Sequence, residues 1–425
     1  MSDNIYSTYG VSDKTAALAD EAMKAVLPVF REIDEIREYN QLKVLAAFRE
    51  AGFAERHMSL TTGYGYDDIG REKIEEIYAK IFGGESAYVR IQISSGTQSI
   101  SAILYGIMRP GDELLAATGR PYDTLMKTIG LDKDDDFDAS LIDMGSTYDE
   151  VDLLPDGSPD IAGIVSKLNS KTKMVLIQKS RGYSTRRALM SYDIKAIIDA
   201  VRAWSKENDH EVIIAVDNCY GEFVEKTEPC ELGADICGGS LIKNPGGGIC
   251  SSGGYIVGRK DLVEKAAYRI TAPGLGSHVG PTLGFNRMIA QGLFRAPATV
   301  AECLKGAVFA SKMFELTGFK TSPSAIEPRG DIVQTIEFND PDKLVKFCQM
   351  IQTCSPVDSF ALPVPFDMPG YSDEVVMAAG TFVQGATSEL SCDGPMRDPY
   401  IGYMQGGLVY EQAKLAVMLS IDAWG

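Results

Sequence analysis

The sequence predicts an α/β protein, with a large domain on a mainly parallel central sheet and a smaller α+β domain after it. Three observations carry this. Between about residues 69 and 295, short apolar runs alternate with helical stretches, the mark of a parallel sheet covered on both faces. From about residue 297 the pattern changes to a long helical stretch, two strand-like runs and a last helix. The chain has 425 residues, 45% hydrophobic and 24% charged, enough for a large core in one or two domains.

The elements follow in order. Ala17, Ala22, Val26 and Phe30, interleaved with Asp20, Glu21 and Lys24, fit an amphipathic helix after the cap candidates Ser12 and Asp13. A second helix is expected over 41–51, stopping at Gly52. Helices over 70–82 and 96–108 end at Gly83-Gly84 and before Pro110-Gly111. Strands are expected at 113–117, 174–178, 211–217, 236–240 and 254–257. The small domain offers a helix over 297–314, strands at 332–337 and 375–382, and a helix over 412–421. The expected division is an N-terminal helical arm (1–60), a large domain (61–296) and a small C-terminal domain (297–425). No repeat of solenoid length is present.

Lys plus Arg number 41 and Asp plus Glu 59, a net charge of −18. A polyanion is repelled by nucleic acid and by anionic membrane surfaces, so neither is an expected partner. Part of the excess is local, in Asp132, Asp134, Asp135, Asp136 and Asp138, read as a solvated loop. Met1 to Tyr6 show no leader pattern and no apolar run reaches membrane-spanning length, so a cytoplasmic protein is expected. Eight cysteines without a CxxC pair, and only His57, His210 and His278, give neither zinc spacing nor a disulfide framework; no metal is expected.

Chemistry concentrates around Lys243. It follows the expected strand 236–240 and precedes Gly246-Gly247-Gly248, where backbone approaches a ligand closely. A lysine desolvated there loses its proton and becomes the amine that Schiff-base chemistry requires. A solvated surface lysine is the alternative. Asp217 ends the apolar run 212–216, at the carboxyl end of a buried strand where α/β sheets bind ligands. There it serves either as an acid against a pyridine nitrogen or as a turn cap. Ser94-Ser95-Gly96-Thr97 enters a helix, as a phosphate cradle or as an ordinary N-cap, and Ser240 adds a hydroxyl. Tyr122, just after a strand, is placed to stack on a flat ring or to lie on a loop.

In this order the residues resemble the pyridoxal-phosphate (PLP) enzymes of fold type I, in the cysteine and methionine metabolism group. The closer resemblance is to the methionine gamma-lyase-like carbon–sulfur lyases, or cystathionine beta-lyases, associated with aluminium resistance. It is carried by Gly63-Tyr64-Gly65-Tyr66-Asp67-Asp68-Ile69-Gly70-Arg71, Ser95-Gly96-Thr97-Gln98 and Arg109-Pro110-Gly111-Asp112-Glu113. Further on, Gln178-Lys179-Ser180-Arg181-Gly182-Tyr183, Val216-Asp217-Asn218-Cys219-Tyr220-Gly221 and Ser240-Leu241-Ile242-Lys243-Asn244-Pro245-Gly246 continue it.

The resemblance implies PLP held as a Schiff base on Lys243, which also shuttles protons. Asp217 would face the pyridinium nitrogen and Tyr122 would stack on the ring. Ser95, Gly96, Thr97 and Ser240 would hold the phosphate, with Asn218 among the cofactor contacts. A Tyr and an Arg of a neighbouring subunit reach that phosphate in the broader group. Tyr64 fits the first; for the second, either Tyr66 supplies a hydroxyl or Arg71 substitutes. Arg397 is the expected partner of the substrate carboxylate, with Arg329 as competitor. The implied reaction eliminates a thiol from a sulfur-containing amino acid of the cystathionine, cysteine or methionine type. An aminotransferase or aldolase would use the same lysine and acid, and a silent binding protein would keep the fold without turnover. The implied assembly is a homodimer or homotetramer with sites at the subunit interface.

Overall fold

The computed structural model describes residues 5–132, 139–368 and 373–424. Of the acidic stretch, Asp134, Asp135, Asp136 and Asp138 lie outside them, as do Met1 to Asn4.

The large sheet holds β1 (Ser86–Arg90), β2 (Glu113–Ala116), β3 (Thr147–Glu150), β4 (Thr172–Gln178), β5 (Ile213–Asp217), β6 (Ile236–Ser240) and β7 (Gly254–Gly258). Their order is β1-β7-β6-β5-β4-β2-β3, and β7 alone runs against the others. Side chains alternate along each strand, so two apolar layers form. Met174, Leu176, Ile213, Ala215 and Ile236 pack with α3 (Gly96–Ile107) and α7 (Lys260–Ile270) on one face. Val175, Ile177, Ile214, Val216 and Cys237 join the main core on the other, with α2 (Ile69–Phe82) and α6 (Ser191–Asn208). Short helices α4 (Asp123–Ile129) and α5 (Ile161–Lys167) complete this part. The edge strands β1 and β3 escape sequence reading because neither SAYVR nor TYDE is a continuous apolar run.

The two helices expected at the start are one, α1 (Asp13–Glu50), with Pro28 inside. Its buried stripe runs through Thr15, Ala19, Ala22, Val26, Phe30, Ile33, Asn40, Val44 and Ala47. The stripe turns polar at Asn40, which is why the sequence reads as two helices. Asn40 is held instead by donating to the Phe223 and Glu225 carbonyls at 3.1 and 3.0 Å. Likewise α8 (Asn286–Leu316) runs unbroken through Pro297 and so crosses the expected domain boundary. Both long helices pack on each other, and that packing outweighs the proline penalty.

The second sheet is antiparallel, in the order β10 (Val375–Ala378), β11 (Ser391–Pro395), β12 (Ile401–Gln405), β9 (Val333–Glu337), β8 (Lys320–Ser322). Helices α9 (Pro341–Thr353) and α10 (Tyr410–Asp422) pack together beside it. The strand expected to reach 382 stops at Ala378.

Candidate active site

Parallel strands bring their carboxyl ends to one place. Gln178 of β4 pairs with Asp217 of β5, and Asp217 with Gly238 of β6, while Lys243 lies just past β6. A small cavity of about 80 Å³ opens there, lined by Gly96, Thr97, Tyr122, Gln178, Tyr183, Asp217, Cys219, Tyr220, Lys243, Asp393, Tyr403 and Gln405, among others. Lys243, Asp217, Tyr122, Gly96 and Thr97 are thus brought together as expected.

Burial pulls the Lys243 ammonium down, but Cys219, Asp217, Tyr122 and Glu222 pull it up more strongly, so it titrates above the ordinary lysine value. Burial also holds the Cys219 thiol well above its ordinary range, so near neutral pH the decisive anion is Asp217. Desolvation alone favours the expected unprotonated amine, and the Asp217 charge opposes it. The Lys243 Nζ lies 4.2 Å from the centroid of the Tyr220 ring, a cation–π contact. Tyr220 holds a left-handed backbone with φ 67°, costly for an aromatic residue. Burial raises the Asp217 carboxyl, and Lys243 and the Cys219 N–H, 3.1 Å from Oδ1, only partly offset it.

The glycines after Lys243 serve another purpose than the one expected. A Cβ on Gly292 of α8 would stand 2.3 Å from the Gly246 carbonyl oxygen, and one on Gly247 2.3 Å from the Gly292 oxygen. These glycines let the lysine loop press backbone-to-backbone on α8.

Ser95 is the N-cap of α3, its hydroxyl accepting from the Gln98 N–H at 3.1 Å. Gln98 in turn accepts from the Ser94 N–H at 2.6 Å, a reciprocal cap. A Cβ on Gly96 would meet the Cys219 sulfur at 2.8 Å and the Ser240 Cβ at 3.4 Å, so Ser240 lies directly behind the turn. Tyr122 donates its N–H to Gln178 Oε1 at 2.7 Å, and Gly182 lies against its ring, where a Cβ would come within 2.9 Å.

Other expected residues lie elsewhere. Asn218 is fully buried and turned away from the cavity, donating to Glu228 Oε2 at 2.9 Å. Arg71 is also buried; its guanidinium donates to the Gly65 and Gly280 carbonyls at 2.6 and 2.9 Å, so it clasps two loops and does not reach the cavity. Tyr64 and Tyr66 are exposed and stacked on each other at 5.3 Å, away from their own chain's cavity. Arg397 is exposed and pairs with Asp373 at 3.1 Å. It lines an outer cleft that shares Tyr122, Gln178 and Tyr183 with the cavity, together with Arg120, Arg181, Arg186 and Arg187. Arg329 is buried, donates to Gln334 at 2.6 Å, and lines neither.

Sequence reading missed Tyr220, Asp393 and Tyr403, and gave Tyr183 no role. Asp393 and Tyr403 sit on β11 and β12; SCDGP carries little strand propensity, and in IGYMQ a glycine interrupts the strand formers Ile401 and Tyr403. Among the described residues, no group of His, Cys, Asp or Glu is arranged to hold a metal, and no helix is long and apolar enough to cross a membrane.

The sheet order, the strand-end lysine and acid, and the capped helix define the fold type I of pyridoxal-phosphate enzymes. The chain belongs to the methionine gamma-lyase family, whose profile matches residues 15–424. It is similar to a carbon–sulfur lyase involved in aluminium resistance from Clostridium novyi, 45% identical with a TM-score of 0.94 over 99% of this chain and 98% of that one. A proposed cystathionine beta-lyase of Clostridium acetobutylicum is 46% identical, TM-score 0.94, over 99% and 97%. The uncharacterised Bacillus subtilis protein YnbB is 46% identical over 98% of this chain and 97% of its own. At the level of fold alone, the PLP-dependent YhfS of Escherichia coli matches with a TM-score of 0.60 at 18% identity.

Proposed function

We propose that the protein is a PLP-dependent carbon–sulfur lyase that releases a thiol, ammonia and an oxo acid from a sulfur-containing amino acid. The convergence of Lys243, Asp217, Tyr122 and the first turn of α3 in one cavity carries this reading. The residues fit the cofactor. The Gly96 N–H and Thr97 N–H, at the positive end of α3, have no partner among the described residues and suit a phosphate. The space a Cβ on Gly96 would fill is closed by Cys219, so the turn admits only glycine. Asp217 is a buried acid on which Lys243 acts more strongly than the second cation, Arg186.

When bound, the cofactor supplies an electron sink for the charge left on the substrate's α-carbon. Asp217 would hold a negative charge for the ring nitrogen and favour its protonated form. Lys243 provides the tethering amine, and its Nζ takes and returns the substrate protons. Tyr220 packs against that Nζ and confines it. Tyr122, pinned by Gln178, covers the site and excludes water. The eight cysteines, all free thiols, support a reducing, cytoplasmic setting. We also propose an assembly of at least two chains, in which Tyr64 and Tyr66 reach the neighbour's site.

The test is borohydride reduction of the visible-absorbing protein, peptide mapping, and assay of oxo acid and thiol. We expect the label on Lys243 and release of both products. A label on another lysine overturns the cofactor assignment. Formation only of a new amino acid from an added oxo acid overturns the lyase in favour of an aminotransferase.

A further inference from the structure

Between Asp217 and Glu228, two aromatic residues hold a left-handed backbone, Tyr220 at φ 67° and Phe223 at φ 61°. Such strain persists only where the surroundings over-determine it. Two buried side chains, distant from each other in sequence, do so here. Glu228 accepts from the Phe223 N–H at 2.9 Å through Oε1 and from the Asn218 amide at 2.9 Å through Oε2. Asn40 of α1 donates to the Phe223 and Glu225 carbonyls at 3.1 and 3.0 Å. Phe223 is thus gripped at both its N–H and its carbonyl. The Asn244 amide, one residue past Lys243, donates to the Glu222 carbonyl at 2.9 Å and ties the same segment to the lysine loop. Tyr220 lies between the gripped residues Asn218 and Phe223, and its ring meets the Lys243 Nζ at 4.2 Å.

We propose that Asn40 and Glu228 are positioning residues for Lys243: they clamp the strained segment 218–225 so that the Tyr220 ring stays on the lysine Nζ. The inference rests on the reading of Lys243 as the cofactor's tether. Released from the clamp, Tyr220 relaxes toward ordinary backbone and its ring leaves Nζ. A positive charge at Nζ then loses the ring face that favours it, and a proton there is held less tightly. The clamp uses the shape of the Glu228 side chain rather than its charge. The Asn218 Oδ1 has no partner among the described residues, so after Glu228→Gln the Asn218 amide, turned over, accepts from the new amide while the remaining oxygen keeps the Phe223 N–H.

The test compares Glu228→Ala, Asn40→Ala and Glu228→Gln with Val26→Ala, which opens a cavity under α1 fourteen residues before Asn40. The visible absorbance of each cofactor-loaded protein is titrated against pH. Separately, with the cofactor removed, the rate at which an amine-reactive ester acylates Lys243 is read by peptide mapping. Both alanine variants at the clamp should lower the absorbance midpoint by about half to one unit. They should also label Lys243 severalfold faster, because the ring no longer covers it. Glu228→Gln should stay near wild type, and Val26→Ala should lose melting temperature while moving neither reading. Should Glu228→Ala not fold, Glu228→Asp, one carbon shorter, takes its place with the same expectation. An unchanged midpoint and labelling rate in the clamp variants, or equal changes in Val26→Ala, overturns the proposal. If wild type gains no cofactor absorbance at Lys243, the tether reading falls, and the labelling rates still decide the clamp.

Discussion

Behind the cavity, Glu222 is fully buried and accepts from the Tyr255 hydroxyl at 2.7 Å, but its Oε2 has no partner. The Asn218 and Asn244 side-chain oxygens nearby are also unpartnered acceptors. Burial lifts the Glu222 carboxyl to about 8 from an ordinary 4.5, so it keeps its proton near neutral pH. A folded-state value raised in this way contributes stability that is full below about 4.5 and lost as pH rises through about 8. The melting temperature should therefore fall between pH 5 and 9, as on the order of a few kcal/mol is lost. Glu222→Gln, which mimics the protonated acid, should flatten that fall in a calorimetric pH series. An equally steep fall in the variant would remove Glu222 from the explanation. At this scale Lys243, Asp217 and Tyr122 were legible because each follows an apolar run that names its strand end. Glu222 and Tyr220 were not, because their roles depend on burial and on which neighbours lack partners.

The lysine loop and α8 form the contact between elements that matters most for the site. Gly292 lies inside α8, where alanine is ordinarily better by about 1 kcal/mol. Here its Cβ would stand 2.3 Å from the Gly246 carbonyl oxygen, and neither backbone yields easily. Overpacking costs of roughly 1–3 kcal/mol outweigh the helical gain, so the net sign is destabilising. Gly292→Ala should lower the midpoint of denaturant unfolding and loosen cofactor retention, because the displaced loop carries Lys243. A higher midpoint would show that the close approach is not enforced. The sequence shows these glycines plainly, yet their partner is a helix distant along the chain. Central strands were legible from their two-faced burial, whereas α1 and α8 were cut short where a stripe turned polar or a proline intervened. The Asn40 bonds to the Phe223 and Glu225 carbonyls, and the packing of α1 on α8, are long-range facts that periodicity alone does not contain.

For the whole molecule, the loop that bears Tyr64 and Tyr66 is rigidly held yet points away from its own cavity. Arg71 ties Gly65 to Gly280, while the two rings stand 61% and 62% exposed among Leu60, Ile69 and Leu283, which are exposed too. Apolar and aromatic surface held this firmly is the expected composition of an interface core. A net charge of −18 per chain opposes association, so the proposed assembly should tighten as salt screens it. Light scattering should accordingly give a mass of two chains or more. If each site takes Tyr64 from the neighbour, chains carrying Lys243→Ala and chains carrying Tyr64→Ala are each impaired for different reasons. Unfolded and refolded together, they form mixed dimers in which one site keeps both Lys243 and Tyr64. Thiol release from the mixture should then rise well above the sum of the two variants refolded separately. A mixture no more active than that sum would mean that each chain builds its site alone.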